Sequence, residues 1–475
     1  MKQYKSLLKN SFLFAIGSIG SSAISFFMLP LYTRFLSTSD YGQLDVLLTT
    51  ISLLLPAVTL QISSAVLRFS VDMGENDSAS SVLMNGLFMC FFGMVLTLLL
   101  FPVFTRVEPF SSYILFFYLL IFLNMLYRVL RQFIKGLDKI KTFVAADLIY
   151  TATFVTLNVV FLVRLKMGLK GYILSMVLAY FVSIVIILIF GDIFKYLNFK
   201  AFDKTFLKIM LIYSSPLVLN EILFWVVSAS DRYMLTYYIG FDATGIYSVA
   251  NKFPAVISMM YGIFSMAWQL SAMQEYGKEG YEDFFKNIFG VLSSFLFLLA
   301  GLIILILKPL MSIFVSEAFY ESRKYVPMLL IGTIFYAFSN FFCVNYTASK
   351  KTKGMFHTTA VGAILNIGIN FLLIPIWGIQ AATFSTLASY LAMWLVRVFD
   401  SKKFVDIKID WKSISSSVLI IGLQIVGLYF IENAIIFFTV ETLLIVLLLI
   451  IQRKYIKQVF NFGRKLIVEL RTKES

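Results

Sequence analysis

Apolar runs of about 20 residues, the length of a membrane-spanning helix, recur along the whole chain from Ser11 to Ile451. About fourteen can be counted, among them 10–34, 42–67, 207–230, 243–270, 414–431 and 434–452. A backbone in lipid must satisfy its own hydrogen bonds, so runs of this length are helices. A membrane barrel would instead show roughly ten-residue segments of alternating polarity. Only 14% of the residues are charged, against about 25% in soluble domains. The expected fold is therefore an all-α integral membrane protein. The N-terminal "MKQYKSLLKNSFLFAIGS" begins like a signal peptide, but its apolar run outlasts a signal core, so it reads as a retained first span.

The net charge of +14 raises nucleic-acid binding as a function, and the placement of the charges argues against it. If the N-terminus is cytoplasmic, about 30 of the 40 Lys and Arg fall on the cytoplasmic side and about 9 on the other. That bias is the positive-inside rule, which predicts an even number of spans and both termini in the cytoplasm. The two cysteines, Cys90 and Cys343, lie within predicted spans and form neither a disulfide framework nor a metal-ligand pattern. No P-loop, G-x-S-x-G or His–carboxylate spacing suggests catalysis or a metal site, and the expectation is a protein that is not an enzyme.

The chain also repeats itself. "LYTRFLSTSDYGQLDVL" at 31–47 overlays "LTYYIGFDATGIYSVAN" at 235–251, with Gly42 on Gly245. "LDKIKTFVAADL" at 137–148 falls near "SKKTKGMFHTTA" at 349–360, and "GLKGYILS" at 168–175 echoes "GIQAATFS" at 378–385. Three echoes in one order predict two pseudo-symmetric six-helix halves, 1–190 and 207–399, joined by a basic cytoplasmic linker at 191–206. The remainder, 400–475, holds a cytoplasmic loop, two further helices and a basic tail. A parallel repeat of this kind places substrates near the midplane between the halves.

The motifs "LPLYTRFLSTSDYGQLDVL", "SDRYML" and "GIYSVANKFP", in that order, resemble those of polysaccharide-unit flippases of the Wzx (O-antigen) type. That family shares a superfamily with multidrug exporters of the MATE type and with the lipid II flippase. The resemblance spans most of the chain and specifies the superfamily better than the substrate.

Charges inside predicted spans are the candidate site residues, because each is costly in lipid unless it snorkels, pairs or meets water. Lys252 and Glu221 fall at similar depth on consecutive helices. Either they form a structural ion pair, or Lys252 meets a substrate phosphate with Glu221 in a gating or ion-coupling role. The resemblance favours the second reading, since related flippases carry cationic residues in a central cavity. Arg34, Arg128, Arg131 and Asn251 are further substrate-binding candidates, and Asp45 joins Glu221 as a gating or coupling candidate. Snorkelling or packing is the alternative for each. Asp147 shows no obvious partner. Pro30, Pro56, Pro216 and Pro254 fall on the four helices that would border the cleft and are candidate hinges.

The resemblance implies a flippase that moves undecaprenyl-diphosphate-linked oligosaccharides across the bacterial cytoplasmic membrane by alternating access, for cell-surface polysaccharide synthesis. Its partners would be the lipid-linked glycan, membrane lipids and polysaccharide polymerase machinery, with no nucleic acid, and the chain would act as a monomer. No cofactor is called for; Na+ and H+ are the coupling-ion candidates, and the residues do not choose between them. The alternative is a MATE-like ion-coupled exporter of small organic molecules.

Overall fold

The structure, a computed structural model, describes residues 24, 26–73, 77–349, 351–403, 405 and 407–474. Among these residues every regular element is helical. Among the described residues thirteen helices are long and apolar enough to cross a membrane, from Thr38–Thr59 to Ala434–Gln458. They fall one for one on the predicted spans after the first, so the chain is a multi-pass membrane protein. Most of the first predicted span, 10–34, lies outside the described residues; its end is α1 (Leu29–Phe35). The chain divides into two compact units, one ending at Ser248 and the other beginning at Val249.

The first unit continues through α2 (Thr38–Thr59), α3 (Ile62–Met73), α4 (Asp77–Leu98), α5 (Ile114–Gly136), α6 (Ile140–Asn158), α7 (Gly168–Phe190), α8 (Lys204–Tyr238) and α9 (Phe241–Ala250). A capping box starts α2: the Ser37 hydroxyl accepts from the Asp40 N–H, and the Asp40 carboxylate accepts from the Ser37 N–H. The predicted single span 42–67 is broken. The N–H groups of Leu60 and Gln61 both donate to the Pro56 carbonyl, and both residues turn left-handed, at φ 49° and 54°. Hydropathy is blind to such a turn because the residues on either side of it remain apolar.

Helix α8 is longer than its predicted span of 207–230 and stays continuous through Pro216. At 1.5 Å per residue it runs about 50 Å, well beyond the ~30 Å of a hydrocarbon core. Asp203 caps its start by accepting from the Thr205 and Phe206 N–H groups. Its later turns pack on α2: Trp225 donates to the Thr49 carbonyl at 3.0 Å, and Tyr233 and Thr50 share a hydroxyl contact at 2.5 Å.

The predicted span 243–270 is also broken. Helix α9 ends at Ala250, residues 251–253 form a turn, and α10 (Pro254–Glu275) begins with proline at its first position. Proline has no N–H to continue the ladder, so it starts a helix better than it extends one.

The second unit adds α11 (Tyr281–Phe314), α12 (Val326–Ala348), α13 (Thr352–Trp377), α14 (Ile379–Ser401), α15 (Trp411–Phe430) and α16 (Ala434–Glu474). Its core is aromatic: Trp268 stacks on Phe341 at 4.2 Å and 8°, with the edge of Phe285 against both rings. Arg397 of α14 is buried beside this core. It donates to Thr358, Thr359 and the Ser339 carbonyl at 2.9–3.0 Å, which ties α12, α13 and α14 together.

Candidate substrate-binding site

Three stripes at helical spacing meet in the first unit. Asn124, Tyr127, Arg128 and Arg131 follow one face of α5, Asp147, Tyr150 and Phe154 one face of α6, and Tyr172 and Tyr180 one face of α7. Tyr127 lies 5.4 Å from Tyr180, which lies 4.7 Å from Tyr150. Tyr150 stacks on Phe154 at 10°, Phe154 meets Tyr172 edge-on at 5.3 Å, and Tyr172 meets Tyr32 of α1 at 5.0 Å. Six rings thus form a continuous ladder. Tyr127 and Tyr32 are buried in it, while Tyr150, Phe154, Tyr172 and Tyr180 keep part of their faces open.

Two arginines at one end of this ladder differ sharply. The guanidinium of Arg131 is held by both Asp147 oxygens at 2.6–2.7 Å and sits 4.0 Å over the Phe143 ring. Tyr127 donates to the same carboxylate at 2.6 Å. Asp147 therefore has the partner that was not evident from its position in the chain, and Arg131 is committed to it. Arg128, one residue past Tyr127, is exposed. Its Nε donates to Asn124 at 2.9 Å, and Asn124 in turn donates to Tyr180 at 3.1 Å, so the base of the guanidinium is braced. Glu221 of α8 is exposed and within electrostatic reach of Arg128. The Pro56–Gln61 break lies alongside: Pro56, Gln61, Met125 and Arg128 share a cavity of about 10 Å³, room for one water.

The other candidates are dispersed. Arg34 is exposed at the last turn of α1. Asp45 receives Arg232 at 2.6 Å and the Ser248 hydroxyl at 2.5 Å. Arg232 also donates to the Ser228 carbonyl and lies over the Tyr247 ring, and Tyr247 donates to Asp231 at 2.5 Å. This network joins α2, α8 and α9. Lys252 and Asn251 occupy the turn between α9 and α10, both partly covered. Pro30 and Pro254 stand at the starts of α1 and α10, Pro56 lies in the last turn of α2 beside the Leu60–Gln61 break, and Pro216 alone of the four lies within a helix that continues well past it.

A family model described as polysaccharide biosynthesis protein matches residues 7–269, more than half of the 475-residue chain. The chain belongs to that family. A second family model, MatE, matches residues 216–372. Among solved structures, the chain is similar to the lipid II flippase MurJ in an inward closed conformation. The two share 15% identity and a TM-score of 0.67, over 97% of this chain and 100% of that one. An inward-facing multidrug resistance MATE transporter of the MOP superfamily gives 12% identity and 0.67, over 88% and 100%. A MOP superfamily transporter from Pyrococcus furiosus gives 11% and 0.61, over 83% and 95%. At these identities the likeness is one of fold. A search of curated proteins finds no match.

The tyrosine ladder is absent from the candidates that charge marks in the sequence. Tyrosine reads as apolar in a span, yet the i, i+3, i+4, i+7 spacing of Asn124, Tyr127, Arg128 and Arg131 marks one helix face. Arg397 and Glu441, both buried within predicted spans, were likewise passed over.

Proposed function

We propose that the protein is a flippase for lipid-linked oligosaccharides, moving the diphosphate-bound glycan from the cytoplasmic to the outer leaflet of a bacterial cytoplasmic membrane by alternating access. Both chain ends would lie in the cytoplasm. The observation that carries this reading is the exposed Arg128 at the end of a half-open tyrosine ladder. Partly open aromatic faces suit the C–H faces of sugar rings, and the Tyr hydroxyls offer hydrogen bonds to their hydroxyl groups. A guanidinium free of a carboxylate fork suits a phosphate oxygen. Membership of the polysaccharide biosynthesis family and the flippase-like fold support the same reading. Such a head group cannot cross lipid unaided, because its polar groups would lose their hydrogen bonds.

Lys252, in the turn between α9 and α10, is a second phosphate-facing candidate in this reading. Arg131 and Asp45, each already held in an ion pair, serve to position helices. The test is to delete the gene and extract lipids: the reading expects a lipid-linked oligosaccharide to accumulate on the cytoplasmic leaflet.

The match of the MatE model to residues 216–372 favours a second reading, an exporter of small organic molecules. That reading expects deletion to sensitise cells to organic cations, with no accumulated glycan.

A further inference from the structure

Helices α11, α15 and α16 enclose two layers of polar side chains with opposite properties. In one, Gln452 of α16 accepts from Ser294 at 2.5 Å and Ser413 at 3.2 Å, and donates to Ser417 at 2.6 Å. Both ends of that amide are satisfied. In the other, Glu441 of α16 is completely buried, and neither carboxyl oxygen has a hydrogen-bond partner among the described residues. Gly427 of α15 leaves room for it: a Cβ there would stand 2.8 Å from Glu441 Oε1. The side chain of Gln424, also completely buried, lies beside the carboxyl, and its Oε1 is likewise without a partner. Its Nε2 faces the Gly301 carbonyl of α11 at 3.4 Å.

Three acceptor oxygens therefore meet in one buried layer, each without a hydrogen bond among the described residues, and the Gln424 amide is the polar group that lies against the carboxyl. Lys308 of α11 is within electrostatic reach of Glu441, and Arg323 and Glu432 are within reach of Lys308. Its ammonium is turned elsewhere, donating to the Ile431 carbonyl at 2.8 Å and lying 4.1 Å over the Phe437 ring. No salt bridge reaches Glu441 among the described residues. Phe437, one turn from Glu441 on α16 and fully buried, closes the layer on the Lys308 side. Glu441 is seven residues from the start of α16, about 10 Å into the helix.

A bare carboxylate in this position would cost several kcal/mol, because neither hydrogen bonds nor a counter-ion compensate its lost hydration. One proton removes the charge and serves two of the three oxygens, since a carboxylic acid O–H donates to the Gln424 Oε1 and leaves only a neutral carbonyl oxygen without a donor. We propose that Glu441 and Gln424 form a buried proton-binding site within the α11–α15–α16 bundle, in which Glu441 carries an exchangeable proton at neutral pH. An intramembrane acid that gains and loses one proton changes the charge inside this bundle without any rearrangement of bonds. The inference does not depend on the substrate reading.

Infrared spectroscopy of the purified full-length protein in lipid nanodiscs tests it, with the proton itself as the ligand. The wild type should show a protonated carboxyl C=O band at neutral pH that shifts in D2O and is lost in Glu441→Gln. Gln424→Leu, which removes the acceptor, should keep the band but move it to higher frequency; this arm stands even if Glu441→Gln fails to fold. The band should persist when Na+ replaces K+ in the buffer. A wild-type spectrum with no protonated carboxyl band at neutral pH would overturn the proposal. So would a band unmoved by Gln424→Leu, or one abolished by Na+, which would make the site a metal-cation site instead.

Discussion

Gly42 and Gly245 pack against each other reciprocally at the starts of α2 and α9. A Cβ on Gly42 would overlap the Phe241 carbonyl, and a Cβ on Gly245 would overlap the Thr38 carbonyl. Thr38 and Phe241 are matched at the same offset of 203 residues that separates Asp45 from Ser248, which also bond to each other. Contact of each residue with the counterpart of its partner is the mark of a local two-fold relation. The Thr38 hydroxyl adds a bond to Asp242 across the same crossing.

Replacing Gly42 or Gly245 by Leu is accordingly expected to destabilise the protein by at least the ~1–3 kcal/mol usual for overpacking, because the obstacle is backbone that cannot rotate away. Gly262→Ala, where nothing stands within 4 Å of the new Cβ, serves as the control and should be tolerated. Thermal unfolding in detergent, read by monodispersity, measures both.

The Asp45–Arg232 pair is partly covered, with side chains 22% and 14% exposed. Removing one partner strands the other, so Arg232→Ala should lower stability by about 1–3 kcal/mol, between the values for exposed and fully buried pairs. Asp45→Leu combined with Arg232→Met should recover part of that loss. Equal losses in the single and double variants would show that the pair contributes nothing as a pair.

Lys139 donates to Asp192 at 2.8 Å and holds its carboxyl below the usual range, with Lys195 adding to the effect. A carboxyl whose folded-state pKa is depressed stabilises the fold above its unfolded pKa, and this contribution is lost as pH falls through the folded value. Wild type and Asp192→Asn should therefore differ slightly at neutral pH and converge in acid. Unfolding midpoints across that range check the sign.

Much of this architecture was legible before any coordinates. Span positions follow from run length, because lipid leaves the backbone no alternative to helix; that Gly42 and Gly245, aligned only as an echo between repeats, also touch each other is a finding of the structure. The breaks at Leu60–Gln61 and Asn251–Phe253 were not legible: Gln61, Asn251 and Lys252 are isolated polar residues in long apolar runs, so hydropathy passes straight through the turns they sit in. Asp147 looked partnerless because its partner, Arg131, comes from another helix. Glu441 was hidden in the opposite way, as a single carboxyl diluted by the hydropathy of its neighbours.

For Lys252, the phosphate-facing reading expects Lys252→Met to abolish transport while the protein still reaches the membrane. Lys252→Arg should keep partial function, since the charge survives with altered geometry. Adding Glu221→Leu to Lys252→Met should not restore activity. Restoration by the double change would instead mark the two residues as a structural pair.

The most direct measurement is translocation of a fluorescent undecaprenyl-diphosphate oligosaccharide in proteoliposomes, read by its protection from a membrane-impermeant quencher. The wild type should move the lipid between leaflets. Arg128→Ala should slow transfer at least tenfold, a loss of about 1.4 kcal/mol or more in a charge-assisted contact. Tyr150→Ala should slow a glycan-bearing lipid more than undecaprenyl diphosphate alone. Wild-type protein that leaves the lipid-linked glycan in place while moving organic cations would contradict the flippase reading.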